Sequence, residues 1–510
     1  MDRERARITG IHLFVFFTGA AVMATEMCAS RFLAPWFGTS MIIWSVLISV
    51  ILGAISLGCW LGGRLADRRP SWRLLYSMPL AAGVMTGFIP LAGRAVFSGL
   101  TAGIMRTPVE MIALSFAAAA LVFVPPVLVL AMIGPFVIRL LAREGTTGRT
   151  AGSLSAVSTL GSIAGTLVPA LGTIPFLGTR ETMLVSSLLL ISLGLAGLSG
   201  RPRKVVALLL LPPAVWLLTD GPVRGGSSVV REEETPYQYL QVQRRSDGST
   251  VLIVNEGGGI QSVAREGDSL RPASTYYESY LLLPYMSRRE DDPDVLVIGS
   301  GASTIPHWLV EYVKPDFREM TVDAVELDGR AVELGYEWFG TEPGDASFIV
   351  ADGRVFVERA ARTWDIIISD TYSNQIYIPF HLATLEYFLA LKERLSPGGI
   401  VAMNVNAIDI DSALLQSVGR TLAEVFDHVY VARVSDGYNF MFIASDLPLR
   451  PPPADSMALW NPALEETARL FEPLMEPFHP RGGVVLTDNR APVELMTDVM
   501  ILEAAAGGIR

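Results

Sequence analysis

Asp294-Val-Leu-Val-Ile298-Gly299-Ser-Gly301-Ala302-Ser303 is the stretch that decides the fold of the C-terminal half. The short apolar run reads as a strand buried on both faces, bounded by a glycine turn. Ile305–Val313 then reads as a helix. Strand, glycine turn and helix in this order open a dinucleotide-type sheet, because glycines let the backbone approach a ligand closely. A second strand, Val322–Leu327, ends at Glu326 and Asp328. A carboxylate about 25 residues past the glycines is placed to accept hydrogen bonds from ribose hydroxyls.

Two more strand ends carry acids. Phe348-Ile349-Val350 leads to Asp352-Gly353, and the apolar run Trp364–Ser369 ends at Asp370. Open α/β sheets bind ligands outside the carboxyl ends of their strands. Any one of these acids could simply cap the helix that follows it. Three carboxylates at one edge, Glu326, Asp352 and Asp370, predict a site for a cationic, hydroxyl-rich ligand. Upstream, Tyr239–Arg244, Thr250–Asn255 and Ile260–Ala264 alternate as short strands of a small β lobe. Residues 273–286 read as a helix leading into the sheet, and residues 221–236 as a polar linker.

The other half of the chain is of a different kind. Half of all residues are hydrophobic and only 18% are charged, below the usual share for a soluble protein. Residues 1–220 hold 17 Lys and Arg against 8 Asp and Glu, whereas residues 221–510 hold 23 against 43. The acidic half disfavours a nucleic-acid partner, because phosphates repel it. Apolar runs fall at about 9–33, 41–63, 74–96, 108–141, 152–177, 182–199 and 204–219. A span needs ~20 apolar residues, so about seven membrane helices are expected. The fourth run, with Pro125, Pro126 and Pro135, is one long kinked helix or a broken one. Cys28 and Cys59 both lie in apolar stretches, which leaves no disulfide framework or Cys-based metal site; no metal is expected. The first run exceeds a signal-peptide core and carries Glu26, so it reads as a retained span. Glu26 is an intramembrane carboxylate and a functional candidate on that ground.

Basic residues orient the helices. Arg3, Arg5, Arg7, Arg64, Arg68, Arg69, Arg73, Arg139, Arg143, Arg149, Arg201, Arg203 and Lys204 fall on one side. Arg94, Arg106 and Arg180 fall on the other. The N-terminus is therefore expected in the cytoplasm of a multi-pass inner-membrane protein. Seven full spans would export the acidic half. The run 204–219 is about 24 Å as a helix against a ~30 Å core. Either it stops short of spanning, which returns the acidic half to the cytoplasm and is the arrangement favoured here, or it spans and the helical half carries the donor or product across.

Further motifs carry a resemblance. Glu234-Thr-Pro-Tyr237-Gln238 is similar to a segment of the spermidine synthases, as are Tyr276-Tyr277-Glu278 and the Leu-Leu-Pro after it. The glycine turn, Val325-Glu326-Leu327-Asp328, Asp352-Gly353, Asp370 and Pro379 follow in that family's order. Arg31-Phe-Leu-Ala-Pro-Trp-Phe-Gly38, Gly62-Gly63-Arg64-Leu-Ala-Asp67 and Leu486-Thr-Asp488-Asn-Arg-Ala-Pro492-Val-Glu494 resemble its membrane-fused subgroup.

The resemblance implies a Rossmann-like, methyltransferase-type α/β sheet of seven strands with an N-terminal β lobe. It implies aminopropyl transfer from decarboxylated S-adenosylmethionine, a co-substrate and not a permanently bound cofactor, to an amine such as putrescine. Methylthioadenosine is then released. By position, Gln238, Gly299, Gly301, Glu326, Asp352, Gly353 and Pro379 would hold the nucleoside. Asp370 would accept the proton, and Tyr237, Tyr277, Glu278 and Ser373 would face the amine. Two acids of the family pattern are replaced, by Ala302 in the glycine turn and by Ser373 after Asp370. Asn374, Gln375 or His381 could take part instead. Other sulfonium chemistry, or a transporter or sensor with a non-catalytic nucleoside- or polyamine-binding domain, is the alternative. The expected organisation is a transmembrane domain over 1–220, a linker and β lobe with lead-in helix over 221–290, and a catalytic Rossmann-like domain over 291–510. Expected partners are the bilayer, a small amine or polyamine, an adenosyl sulfonium donor and, as an open option, further copies of the chain.

Overall fold

The computed structural model describes residues 2–38, 41–101, 108–142, 147–198, 202–218, 223, 228–255, 259–265, 270, 276–287, 292–373, 376–434 and 438–507. Arg106, Arg143, Arg201, Asn374, Gln375 and residues 273–275, named above, lie outside them. The chain forms two compact units, Met1–Gly226 and Ser227–Arg510.

The first unit is helical: α1 (Asp2–Phe37), α2 (Met41–Arg68), α3 (Trp72–Thr101), α4 (Pro108–Ala131), α5 (Ile133–Leu141), α6 (Thr147–Val168), α7 (Ile174–Leu177), α8 (Thr179–Gly197) and α9 (Pro202–Leu218). Among the described residues, six helical stretches are long and apolar enough to cross a membrane, with α4–α5 and α6–α7 each counting as one. The seventh run forms α9, of 17 residues, about 25 Å long at 1.5 Å per residue. It passes through Pro212 and Pro213 as a helix.

The fourth run is a single helix interrupted at Met132. Pro135 has no N–H to give the carbonyl four residues back, that of Ala131. The Cys59 thiol of α2 donates to this carbonyl across 3.6 Å. The approach is close because α2 shows glycine there. A side chain at Gly58 would meet the Leu128 carbonyl at 2.4 Å, and one at Gly62 the Met132 Cα at 2.6 Å.

Helices α1 and α6 meet in the same way. A Cβ at Gly161 would lie 2.0 Å from the Phe16 carbonyl, and one at Gly165 2.0 Å from the Ala20 carbonyl. Ser162 donates its hydroxyl to the Gly19 carbonyl at 3.4 Å. Between helices in lipid such small residues admit backbone contact and its dispersion attraction.

The second unit begins with an antiparallel meander of β1 (Val229–Glu234), β2 (Tyr239–Arg244), β3 (Thr250–Val254) and β4 (Ile260–Ala264). β1 falls in the stretch read as a linker. It pairs with β2 through a turn that Thr235 closes: its hydroxyl accepts from the Tyr237 and Gln238 amides. The charges of Val-Val-Arg-Glu-Glu-Glu concealed a strand because an edge strand can keep them in water.

The expected helix over 273–286 is instead two single turns, α10 (Tyr277–Tyr280) and α11 (Leu283–Met286). Pro284 cannot donate to the Tyr280 carbonyl, so the ladder breaks there. Then follow β5 (Asp294–Ile298), α12 (Thr304–Trp308), β6 (Thr321–Glu326), α13 (Gly329–Trp338), β7 (Ser347–Val350), α14 (Gly353–Arg359), β8 (Trp364–Ser369), α15 (Leu385–Glu393), β9 (Leu395–Asn406), α16 (Ala413–Ala423), β10 (His428–Arg433) and β11 (Asn439–Ser445). The unit ends with α17 (Ala454–Trp460), α18 (Glu465–Phe471), β12 (Glu476–Pro477) and α19 (Val493–Gly507).

The sheet order is β12-β10-β11-β9-β8-β5-β6-β7, with β5 to β9 mutually parallel and the other pairings antiparallel. It is a methyltransferase-type Rossmann-like sheet of seven strands plus the two-residue β12. Val295–Ile298 of β5 and Ile366–Ile368 of β8 are apolar because both faces are covered. One cluster packs Leu296, Ile298 and Ile367, the other Val295, Val297, Ile366 and Ile368.

The glycine contacts give a direct test in the helical unit. Gly165→Val should destabilise the detergent-purified protein by at least ~1–3 kcal/mol, the usual range for overpacking. Gly152→Val, at an α6 position where a Cβ meets nothing within 4 Å, should leave the melting temperature nearly unchanged. Equal melting of the two variants would remove the α1–α6 backbone contact from the account.

Candidate active site

The parallel register brings four strand ends together. Ile298 pairs with Val325 and Ser369, and Ser369 with Met403. The next residues, Gly299, Glu326, Asp370 and Asn404, therefore share one edge of the sheet.

Gly299 sits at φ +85°, and a Cβ there would meet the Asp370 carbonyl at 2.3 Å. Both the left-handed backbone and the contact demand glycine. Gly301, at φ +54°, donates its amide to Glu326 Oε2 at 2.8 Å. The other oxygen, Oε1, accepts from the Asp328 amide at 3.0 Å. Glu326 thus braces the glycine turn and the turn after β6 at once. Burial pushes its carboxyl up to about 6 against these amide donors.

Asp328 is buried and links the β lobe to this corner. It accepts from the Thr235 hydroxyl at 2.7 Å and the Gln238 amide at 3.2 Å, and caps α13 through the Arg330 amide. Gln238 is therefore beside the site, but its side-chain amide is engaged by Asp328. Tyr237 next to it is exposed.

Asp352 caps α14 by accepting from the Val355 amide at 3.0 Å. Its second oxygen lies 3.7 Å from His381 Nε2. A side chain at Gly353 would strike Ile298 at 2.4 Å, so this helix start seats on the end of β5. Pro379 opens the one-turn helix 380–382, and its carbonyl accepts from the Leu382 amide.

Asp370 caps no helix. Its Oδ2 accepts from the Tyr276 hydroxyl at 2.9 Å, and its Oδ1 from the Asn404 side-chain amide at 3.3 Å. Burial pushes its carboxyl up to about 7 against these two donors. The tyrosines nearby, Tyr276, Tyr277, Tyr280 and Tyr372, are pushed upward by burial and by the Asp370 charge, so they stay neutral.

The four residues expected to face an amine are scattered. Tyr277 is buried, gives its hydroxyl to the Ile260 carbonyl at 3.0 Å and packs edge-on against Trp308. Glu278 is 1% exposed and faces Arg265 at 3.4 Å. Ser373 directs its amide and hydroxyl at the Tyr377 carbonyl. Ala302 is fully buried within an apolar cluster that includes Leu240, Val242 and Leu334, and its amide donates to the Ser262 hydroxyl.

Asn404 is the neighbour that sequence reasoning passed over; Tyr276 and Asp328 were read as parts of motifs but given no role in the site. Asn404 had a signal. Val-Ala-Met-Asn-Val-Asn at the end of a buried strand places a polar residue at an apolar position. Among the described residues, no group of three His, Cys, Asp or Glu side chains could hold a metal ion.

The fold defines an α/β unit of methyltransferase type. Residues 275–435 match the family described as the spermine/spermidine synthase domain. A Hyperthermus butylicus protein named polyamine aminopropyltransferase 2 is 30% identical over 230 residues, covering 41% of this chain and 70% of that protein. A Bifidobacterium longum protein named probable polyamine aminopropyl transferase is 29% identical over 292 residues, covering 53% of this chain and 62% of its own length. A Ralstonia nicotianae polyamine aminopropyltransferase 2 is 24% identical over 438 residues, 80% of each chain. That share exceeds what residues 227–510 can supply, so this likeness reaches into the helical unit. The chain belongs to the spermidine synthase-like polyamine aminopropyltransferase family.

Proposed function

We propose that this chain is a membrane-bound transferase that moves an aminopropyl group from decarboxylated S-adenosylmethionine to an amine. The observation that carries the reading is Asp370, an acid that caps no helix and stands beside the glycine turn with two donors on it. In this reading the acceptor ammonium gives a proton to Asp370. The freed nitrogen lone pair attacks the methylene carbon attached to the sulfonium. The N–C bond forms as the C–S bond breaks, and its electron pair stays on sulfur. Methylthioadenosine leaves as a neutral thioether.

The position of Asp370 on the acidity scale suits this role. An alkylammonium near 10.4 giving a proton to a carboxylate near 4 is uphill by about 9 kcal/mol at 1.36 kcal/mol per unit. With the carboxyl pushed up to about 7, the same step costs roughly 5 kcal/mol. Glu326 would accept the ribose hydroxyls. Gly299, Gly301 and Gly353 would keep the backbone open to the nucleoside, with Gln238, Asp352 and Pro379 around it. The amine would approach from the side of Tyr276 and Ser373; Tyr277 and Glu278 are turned to Ile260 and Arg265, and Tyr237 to solvent.

The positive-side bias of the basic residues and the 17-residue α9 support an inner-membrane protein with its N-terminus and acidic unit in the cytoplasm, where the donor is made. A green fluorescent protein fused after Arg510 should be bright and an alkaline phosphatase fused there inactive. The opposite pair of readings would put this unit outside.

Two residues should fail in opposite ways. Asp370→Asn should lose ~10²–10⁴-fold in rate, the range for a positioned proton acceptor, with methylthioadenosine affinity little changed. Glu326→Ala should weaken methylthioadenosine binding by about 2–3 kcal/mol, as for a hydrogen bond to a charged group. In the wild type, kcat/KM should rise with pH through about 7, where Asp370 becomes a carboxylate, and then level off. Mass spectrometry of the product and calorimetry of the nucleoside decide both. Near-normal turnover by the asparagine variant would remove Asp370 from the mechanism.

The acceptor's far end is the next question. A diamine keeps a second ammonium, and the family's acids for it are Ala302 and Ser373 here. Ser373→Asp should therefore lower the putrescine KM about tenfold, a charge-assisted bond of ~1.5 kcal/mol. Ala302→Asp would bury a carboxylate in an apolar cluster and should lower the melting temperature instead. A putrescine KM unmoved by Ser373→Asp would mean that position 373 does not set the acceptor.

A further inference from the structure

Asn404 can hold Asp370 in two ways that differ in sign. Its amide group can turn NH₂ or carbonyl oxygen toward the carboxylate. With NH₂ forward it stabilises the charged form; with oxygen forward it repels it. The choice is made by what stands behind it.

β11 runs antiparallel to β9, with Asn439 opposite Asn406 and Met441 opposite Asn404. Asn404 and Asn406 share a face of β9, because side chains alternate along a strand. Asn439 lies directly across from Asn406 and diagonally from Asn404. Its Nδ2 donates to Asn404 Oδ1 at 3.2 Å and to Asn406 Oδ1 at 3.0 Å. Both amide hydrogens of Asn439 are thereby directed at oxygens. A reversed Asn404 would set NH₂ against NH₂ on one side and oxygen against the Asp370 carboxylate on the other.

The geometry points to Asn439 as a positioning residue that fixes the polarity of the Asn404 amide and through it keeps Asp370 competent as proton acceptor. Asn439 touches no reacting atom in this scheme. It acts two side chains away, and Asn404, 1% exposed, transmits the effect. Tyr372 closes the same strand end, donating its hydroxyl to the Asn404 carbonyl and accepting from the Asn406 amide. The backbone of β9 therefore has its own anchor, and removing the Asn439 side chain frees the Asn404 amide without freeing the strand.

The other titratable groups facing Asp370 are tyrosines: Tyr276, Tyr277 and Tyr280 from the segment before β5, and Tyr372 after β8. All are pushed upward and none changes charge near neutrality. Glu326, pushed up to about 6, is another acid of this corner, and an Asp370→Asn control separates it.

This inference rests on the proposed role of Asp370, so its test carries a readout that does not need turnover. In Asn439→Leu, the acid limb of kcat/KM should move up by about half to one pH unit, and the rate at pH 7 should fall about two- to fivefold. The methylthioadenosine Kd should stay within about twofold. Asn439→Ser, which keeps one hydroxyl donor, should shift less. Asn404→Leu/Asn439→Leu should shift no further than Asn404→Leu alone.

Infrared titration follows the carboxyl band that vanishes in Asp370→Asn, and the same upward displacement should be seen in Asn439→Leu. An unmoved limb and band in a variant that still binds methylthioadenosine would overturn the inference. So would loss of methylthioadenosine binding in both the leucine and serine variants, which would make Asn439 a folding residue only. A displaced band in a protein that forms no aminopropylated product would uphold the amide lock and reject the proposed activity.

Discussion

Everything at the candidate site depends on how little room there is at Gly299. Its amide donates to the Val325 carbonyl at 2.8 Å, while the Asp370 amide donates to the Ile298 carbonyl at 2.9 Å. These two bonds are the last rungs of neighbouring parallel ladders, and they end at one level. The chain must then leave through a left-handed turn, because a Cβ would overlap the Asp370 carbonyl. The turn aims the Gly301 amide at Glu326 and leaves Asp370 facing Tyr276 and Asn404. A side chain at 299 would separate the strand ends and dissolve this corner.

Four carboxylates lie around the corner, and physical context sorts them. Asp328 and Asp352 each accept an amide at a helix start, the ordinary use of an acid there. Glu326 braces two turns with its two oxygens, and Asp370 is left with one hydroxyl and one side-chain amide. Burial raises both of the acids that cap no helix, Glu326 and Asp370, toward neutrality. Acids shifted in this way concentrate where protons are moved, whereas the capping pair ties down two helix starts.

In the helical unit, contact between backbones replaces such polar geometry. Gly58 and Gly62 bring α2 onto the proline-broken carbonyl of Ala131, and Gly161 and Gly165 bring α6 onto α1. Lipid offers no hydrophobic force between helices, so removing side chains at the crossing is what lets dispersion act.

The sequence by itself determined the elements whose pattern is local. β2, β4 and β8 begin and end where alternation and apolar runs placed them, and six of the apolar runs are long helices. Glycine spacing and the acids after each strand located the corner without coordinates. The charged β1 was invisible because its pairing with β2, and not its own composition, makes it a strand. The helix expected over 273–286 broke at Pro284, a rule that is local but was outweighed by apolar content. Which acid caps a helix and which stays available depends on register between strands far apart in the chain. Asp370 meets Asn404 across 34 residues and Tyr276 across 94. No periodicity encodes those distances, since hydrogen bonds between side chains follow from where whole strands come to rest.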